Sequence, residues 1–479
     1  MKEIYINSKR TIELINNFAW NSRSKFSLYF ILIFLQIIIG FFVIIIPFPF
    51  IFLLLVPVPL LLILYSKPFL GYLVLIFSLP FYNLDIYSIG GSTDISLLEP
   101  AVVFASFGWI LRCIRENKIK IYLNVMDIAI FFIVIWIICS FLWTPNAMIA
   151  VKRLIQIFTG LTVYYLTTNM IRNKKEFDLV LTTWIILVLV SAVVGLYQFY
   201  FEKSKVAESY IFTEQYQRFR EIRVTSFFEK PNIIGLLVPL CVIMCLIKYT
   251  EVISKKWKVV LLLIIMIAVP VMLTSLSRKS YIALGLGVIY LAIYCKNIRL
   301  PLFISMMGVS ILFILLTYGT FLQAFFLRAS SIFLPMEVAS SGRYSAWNLG
   351  IQLFSESPIL GYGVGSFYPL SIRYGSELEV MHNFYLQTTV EYGIIGFSLL
   401  LFWLFLLFYK YFEHIRSYKN RVANIRVRGM MAGLLIIIFE SFFRPINFID
   451  PVFWGYFGLA TIFLKIYSDE GDADEKKIS

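Results

Sequence analysis

Histidine is almost missing from this chain: His382 and His414 are the only two in 479 residues. Cysteine is scarce as well, with Cys113, Cys139, Cys241, Cys245 and Cys295 lying in or beside apolar runs. None forms a CxxC or a Cys/His cluster, so neither a disulfide framework nor a zinc site is indicated, and small apolar fillers are the simpler role. Charge is low too, at 15% of residues, against about 25% for an ordinary soluble domain. These shortages exclude metal chemistry built on histidine pairs and exclude a separate soluble domain.

Apolar residues take up the difference. They make up 60% of the chain, and mean hydropathy is +0.83. Runs of roughly 20 apolar residues, enough to cross a ~30 Å hydrocarbon core, are expected near 26–46, 48–65, 68–82, 95–111, 125–143, 154–171, 177–200, 232–249, 257–275, 280–295, 300–322, 383–409, 429–443 and 450–467. The first exceeds a signal-peptide core and has no small-residue cleavage site behind it, so it reads as a retained span. The expected fold is all-α: a polytopic membrane bundle of about 12–14 helices with a long, partly helical extracytoplasmic loop.

A net charge of +14 fits a membrane better than nucleic acid. With the N-terminus inside, Lys and Arg gather in alternate short loops, as the positive-inside rule requires. The clearest cases are Arg112 to Lys120, Arg172 to Lys175, Lys255 to Lys258 and Lys410 to Arg428. Both ends are therefore expected in the cytoplasm of a multi-pass inner (cytoplasmic) membrane protein. The expected divisions are 1–200 (N-terminal transmembrane helices), 201–409 (a core with outer loops at about 201–231 and 323–382) and 410–479 (C-terminal helices and an acidic cytoplasmic tail). The tail SDEGDADEKKIS reads as a disordered, solvated end.

Loops longer than about 12–15 residues are usually functional or disordered. The second outer loop contains Tyr344, Trp347, Ile351 and Phe354 at helical spacing, which predicts a helix from Arg343 to Phe354 with those four on one face. Ser340 or Ser341 would cap it, and it would lie on the outer membrane surface or over a cavity. Behind it, Gly361, Gly363 and Gly365 (ILGYGVGSFYP) look like a phosphate cradle, but no strand precedes them and no Lys-Ser/Thr follows. Turn glycines are the better reading. His382 then stands at the outer mouth of the helix expected at 383–409. There an imidazole can be a general base or simply an interfacial, capping side chain. His414, in the basic loop KYFEHIRSYK, reads as solvated. Glu391, inside the same helix, is costly in lipid and should face the bundle. Glu440 and Arg444, at (i, i+4), read as a structural pair.

Four blocks in order carry a resemblance: RVTSFFEKPNIIG (223–235), SLSRKSYIALG (275–285), SGRYSAWNLGIQLFSESPILGYGVGSF (341–367) and HNFYLQTTVEYGIIGF (382–397). Arg-x3-Trp, Pro-x-Leu-Gly-x-Gly, His-Asn-x-Tyr-Leu and Glu-x-Gly-x2-Gly are the most specific parts. Together they resemble the O-antigen ligase/polymerase family over about residues 220–400; the first 200 residues resemble it only as a string of membrane helices. The resemblance implies a membrane glycosyltransferase that moves a glycan from a polyprenyl diphosphate, such as undecaprenyl diphosphate, to an acceptor hydroxyl on the outer face. It implies no cofactor and no metal. His382 would be the general base, and Arg343, Arg278, Arg223 and Arg153 would bind the substrate diphosphate, since a guanidinium is permanently charged and binds phosphate oxygens bidentately. Asn383 and Glu391 would support them, Glu391 by orienting the surroundings of His382. The implied partners are the lipid-linked glycan donor, the glycan acceptor, membrane lipids, and a flippase or chain-length regulator, with no nucleic acid. A polymerase is slightly favoured over a ligase. Two other classes compete: a polysaccharide or lipid-linked glycan transporter (flippase), for which paired broken helices and internal repeats would speak, and a structural envelope subunit.

Overall fold

A computed structural model describes residues 4–5, 64–82, 85–89, 93–118, 120–201, 207–212, 218–228, 230–316, 341–376, 378, 380–417, 421–444 and 448–478. Helix dominates: α1 (Phe69–Ser78), α2 (Leu98–Glu116), α3 (Val125–Ser140), α4 (Ala147–Met170), α5 (Lys174–Phe201), α6 (Pro231–Glu251), α7 (Lys255–Thr274), α8 (Arg278–Tyr294), α9 (Arg299–Leu316), α10 (Ser341–Glu356), α11 (Phe367–Arg373), α12 (Phe384–Ser417), α13 (Arg421–Ser441) and α14 (Pro451–Ile478). Among the described residues, seven segments are long and apolar enough to cross a membrane: Val125–Trp143, Ala147–Met170, Lys174–Phe201, Pro231–Glu251, Lys255–Thr274, Lys296–Phe313 and Phe384–Ser417. The chain is a polytopic, all-α membrane bundle. The spans expected at 26–46 and, but for its last two residues, 48–65 lie outside the described residues.

Among the described residues, strand is confined to short segments. β1 (Ile4–Tyr5) pairs with β4 (Lys120–Ile121), β2 (Asp85–Ile89) with β3 (Thr93–Ser96), and β5 (Ala207–Phe212) with β6 (Arg218–Arg223), all antiparallel. The last of these hairpins fills the loop expected at 201–231.

The chain forms two compact units, 1–75 with 99–124, and 76–98 with 125–479. In the first, a Cβ on Gly108 would come within 2.8 Å of the Pro68 carbonyl, so only glycine lets the backbones approach this closely. In the second, α6 is buried without a break from Ile233 to Ile247, the mark of a helix enclosed by other helices. It packs against α5, α7, α8 and α13, while α4 lies along α14 and α3 along α12. On α3, Ile128, Phe131 and Phe132 are more than half exposed, a face fit for lipid.

Two expected boundaries move. α12 runs 34 residues, about 51 Å at 1.5 Å per residue, and so takes in part of the basic loop expected after 409. α14 continues to Ile478 through the tail expected to be disordered, because extending a formed helix fixes only one residue per added bond, whereas starting one costs far more. The expected (i, i+4) face of the 343–354 helix also shifts. α10 buries Ala346, Gly350 and Leu353, while Ile351 is 59% exposed. Small residues win that face because α10 lies directly on Met381 and Leu386: a Cβ on Gly350 would meet the Met381 sulfur at 2.7 Å.

The feature that locks this region is a break in α12. Gly393 stands at φ 65°, ψ −169° inside the helix. The Ile394 N–H, deprived of its helical acceptor Val390, donates instead to the Pro358 carbonyl at 2.8 Å. The carbonyls of Val390 and Glu391 accept from the N–H groups of Tyr362 and Gly363, at 2.9 and 2.8 Å. The Trp136 indole takes the Tyr392 carbonyl at 2.9 Å. The three carbonyls from Val390 to Tyr392 and the Ile394 N–H are thus paired again across the break, as an apolar setting demands. Gly361, Gly363 and Gly365 all have positive φ, so they are turn glycines, and their turn is docked into the break. A Cβ on Gly393 would lie 2.0 Å from the Ile359 oxygen. Gly393→Ala should therefore destabilise the protein by more than about 2 kcal/mol, measurable as a lowered unfolding midpoint in detergent, whereas Gly285→Ala, with open space around it, should not.

Candidate active site

The break fixes the start of α12, and with it His382. Asn383 caps the helix: its side-chain oxygen accepts the Leu386 N–H at 3.1 Å and its carbonyl the Gln387 N–H at 3.0 Å. His382, one residue earlier, is half-buried and sits at φ 55°, an uncommon conformation for a non-glycine residue that tends to mark functional positions. The peptide before it is gripped from α10, where the Trp347 indole donates to the Met381 carbonyl at 2.9 Å. Met381 itself is buried in a cluster with Ala346, Leu353, Phe367, Leu370 and Val390. Arg343 stands one helical turn before Trp347.

Two more non-glycine residues with positive φ, Ser226 and Leu276, lie in adjoining segments. Leu276 belongs to the tight turn between α7 and α8. Arg223, at the end of β6, donates from Nε to the Ser275 carbonyl of that turn at 2.8 Å and from Nη2 to Asn232 at 3.5 Å, and the Val224 N–H donates to the Thr274 carbonyl at 3.2 Å. Arg278 and Lys279 open α8 from the same turn.

Lys279 was not singled out by sequence. Its ammonium is buried and pairs with Glu440 at 3.1 Å, and Ser280 donates to the other Glu440 oxygen at 3.0 Å. Arg444 pairs with Asp450 at 3.4 Å and donates to the Tyr82 hydroxyl at 3.2 Å. Glu440 and Arg444 are thus each paired beyond their own segment, because α13 ends at Ser441 and turns Arg444 toward the start of α14. The signal missed in the sequence was a lysine and a glutamate in apolar segments 161 positions apart, two charges that burial obliges to pair.

His382 feels this assembly. Burial, and then the positive charges of Arg343, Lys279 and Lys230, hold its imidazole down from the ordinary value near 6.5 to about 4. At neutral pH the ring is uncharged, with an acceptor nitrogen available.

Arg153 and Glu391 belong to a second group. Arg153, on α4, donates to Gln156 at 3.1 Å, and its side chain underlies Gly365. Glu391 is buried and accepts from Gln387 at 2.8 Å. Arg153, Gln387, Thr388 and Glu391 line a small cavity with Phe384, Tyr392 and Phe448. The structure therefore sets His382 beside Arg343, Lys279 and Lys230 at the start of α12, holds Arg223 on the α7–α8 turn from which Arg278 opens α8, and puts Arg153 and Glu391 on one small cavity. Among the described residues no group of three or more His, Cys, Asp or Glu could hold a metal ion.

Residues 259–401 match a family model described as O-antigen ligase. The match makes this segment similar to the O-antigen ligase family. It runs from α7 through the first half of α12 and takes in Arg278, Lys279, Arg343, His382 and Glu391, while Arg153, Arg223 and Glu440 fall outside it. No curated protein matches the chain. The domain supports a glycan-transferring role of the O-antigen ligase type, with lipid-linked donors and glycan acceptors, in a membrane protein.

Removing one partner of a buried ion pair leaves the other uncompensated. Glu440→Leu alone should cost about 3–5 kcal/mol, and Lys279→Met added to it should recover most of that loss; thermal unfolding of the purified variants measures both.

Proposed function

We propose that the protein is a membrane polysaccharide polymerase that transfers a glycan from polyprenyl diphosphate to the hydroxyl of another lipid-linked glycan on the outer face, without a metal ion. The observation that carries this reading is the uncharged His382 held among Arg343, Lys279 and Lys230 at the start of α12, inside a segment that matches the O-antigen ligase model.

In this reading the acceptor oxygen attacks the anomeric carbon as His382 takes its proton. The bond from that carbon to the diphosphate oxygen breaks, and polyprenyl diphosphate leaves with the electron pair. Arg343, Arg278 and Arg223 meet the charge that develops on the leaving group, which fixed cations do well in a setting poor in water. Arg153 binds at the more distant end of the diphosphate, and Glu391 keeps Arg153 in place. The apolar faces of the neighbouring helices hold the polyprenyl chain, both termini lie in the cytoplasm, and the site opens outward.

A base whose ring protonates only near pH 4 is weak in the free enzyme. A bound diphosphate places negative charge beside the same cations, which raises the affinity of His382 for a proton as the substrate arrives. The sign of the pH effect follows. His382 must be neutral to act, so kcat/KM, which reports the free enzyme, should hold from neutral pH down to about 5 and fall below that. The acid limb of kcat, which reports the complex, should lie at higher pH. In liposomes containing a polyprenyl-diphosphate oligosaccharide, wild type should lengthen glycans and release polyprenyl diphosphate, and His382→Ala should lose at least about 100-fold in rate. Lipid-linked glycan that only changes leaflet, equally in both proteins, would replace the enzyme with a flippase.

A further inference from the structure

Lys279 is an expensive residue in its position. A buried ammonium needs a partner and further hydrogen bonds, and apolar residues of similar volume commonly fill such a place with equal or better stability. Stability therefore does not explain why a charge is kept there. Its neighbours do. Lys279 reaches the Phe443 carbonyl at 3.5 Å as well as Glu440. The Phe443 ring lies 6.2 Å from the ring of Trp347, and Trp347 is the residue that grips the Met381 carbonyl next to His382. One residue back, the Phe442 ring lies 4.4 Å from that of Tyr385 in the first turn of α12, tilted by 44°, and the Tyr385 hydroxyl donates to the Ile438 carbonyl at 3.0 Å. The turn 442–444 is thus wedged between the base of α8 and the two elements that hold His382. Electrically, Lys279 faces Glu440, Arg444 and Arg343, and His382 faces Arg343, Lys279 and Lys230.

We propose that Lys279, held by Glu440, is a positioning residue of the transfer site: it props the 442–444 turn against Trp347, and so the Met381–His382 peptide, and sets a fixed positive charge behind the imidazole. Glu440 serves by keeping that ammonium charged and in place. This rests on the reading of His382 as the base.

The test uses the full-length protein in liposomes with a polyprenyl-diphosphate oligosaccharide. Wild type, Lys279→Arg, Lys279→Met/Glu440→Leu and His382→Ala are compared for released polyprenyl diphosphate between about pH 4 and 9, each with its unfolding midpoint. Lys279→Arg keeps the cation and should keep the wild-type pH profile. The double variant should fold, because apolar side chains replace both charges. Its kcat/KM should fall at all pH values, and its acid limb should move upward by roughly half a pH unit, since the cation facing the histidine has gone while loss of the Glu440 charge offsets part of that change. A double variant with the wild-type rate and limb overturns the inference, and so does one with a lower rate but an unmoved limb, which would mark a merely structural pair. If the double variant does not fold, Lys279→Gln is read by the same limb. Full activity in His382→Ala would instead overturn the underlying reading of the site, and that outcome is separate from the others.

Discussion

In a lipid-surrounded bundle, no backbone N–H or carbonyl can be left without a partner, and the region around residue 382 follows from how that rule is met at Gly393. A helix opened there loses its own hydrogen bonds, and another backbone at very short range restores three of them while the Trp136 indole takes a fourth. The turn 358–365 does so, with glycines at 361, 363 and 365 because a Cβ at 361 or 363 would meet main-chain atoms at 2.5 Å. That turn is tied further to α3, where Ser140 accepts the Val364 N–H at 3.1 Å and Thr144 donates to the Val364 carbonyl at 2.9 Å. Since α10 and α11 lie on either side of the turn in sequence, bracing α12 also docks the whole segment outside the membrane-crossing helices. Arg343 and His382 are placed by the same hydrogen bonds.

Charges buried near that end are arranged in neutral pairs, Lys279 with Glu440 and Arg444 with Asp450, while Arg343 and His382 stand beside them. Pairing limits the cost of burial, and the remaining positive field falls on the histidine. An imidazole kept neutral by burial, and then by cations, is a poor base until an anion arrives. In the proposed reaction this would link binding of a diphosphate to proton abstraction, and a site of this kind would stay quiet without its substrate.

Some of this was legible in the residues. Apolar run length gave α3 and α5 to α8 to within three residues at each end, because lipid demands length and hydrophobicity that few soluble sequences share, whereas α4 begins seven residues before its expected start and α12 ends eight residues beyond its expected end. His382, Arg343 and Arg278 stood out by rarity and by spacing in short recognisable blocks. The glycines of ILGYGVGSF were readable as turn residues, but not as the plug of a broken helix: their partner, Gly393, lies 28 or more residues further on, in what reads as an uninterrupted span. The face of α10 was misplaced for a related reason, since aromatic spacing suggested 344, 347, 351 and 354, whereas close approach to Met381 favours Ala346 and Gly350.

What the sequence determined by itself is therefore local and compositional: membrane-crossing helices, a helical outer segment, and a lone histidine at a helix start, each set by periodicity, hydropathy or a short motif. Tertiary structure alone decided the pairings. Lys279 meets Glu440, Arg444 meets Asp450, Arg223 meets the α7–α8 turn, and Arg153, bonded to Gln156, shares a small cavity with Glu391. These contacts join residues up to hundreds of positions apart, and they are chosen by the need to satisfy buried charges and backbone groups in three dimensions, a condition that no local stretch of sequence expresses.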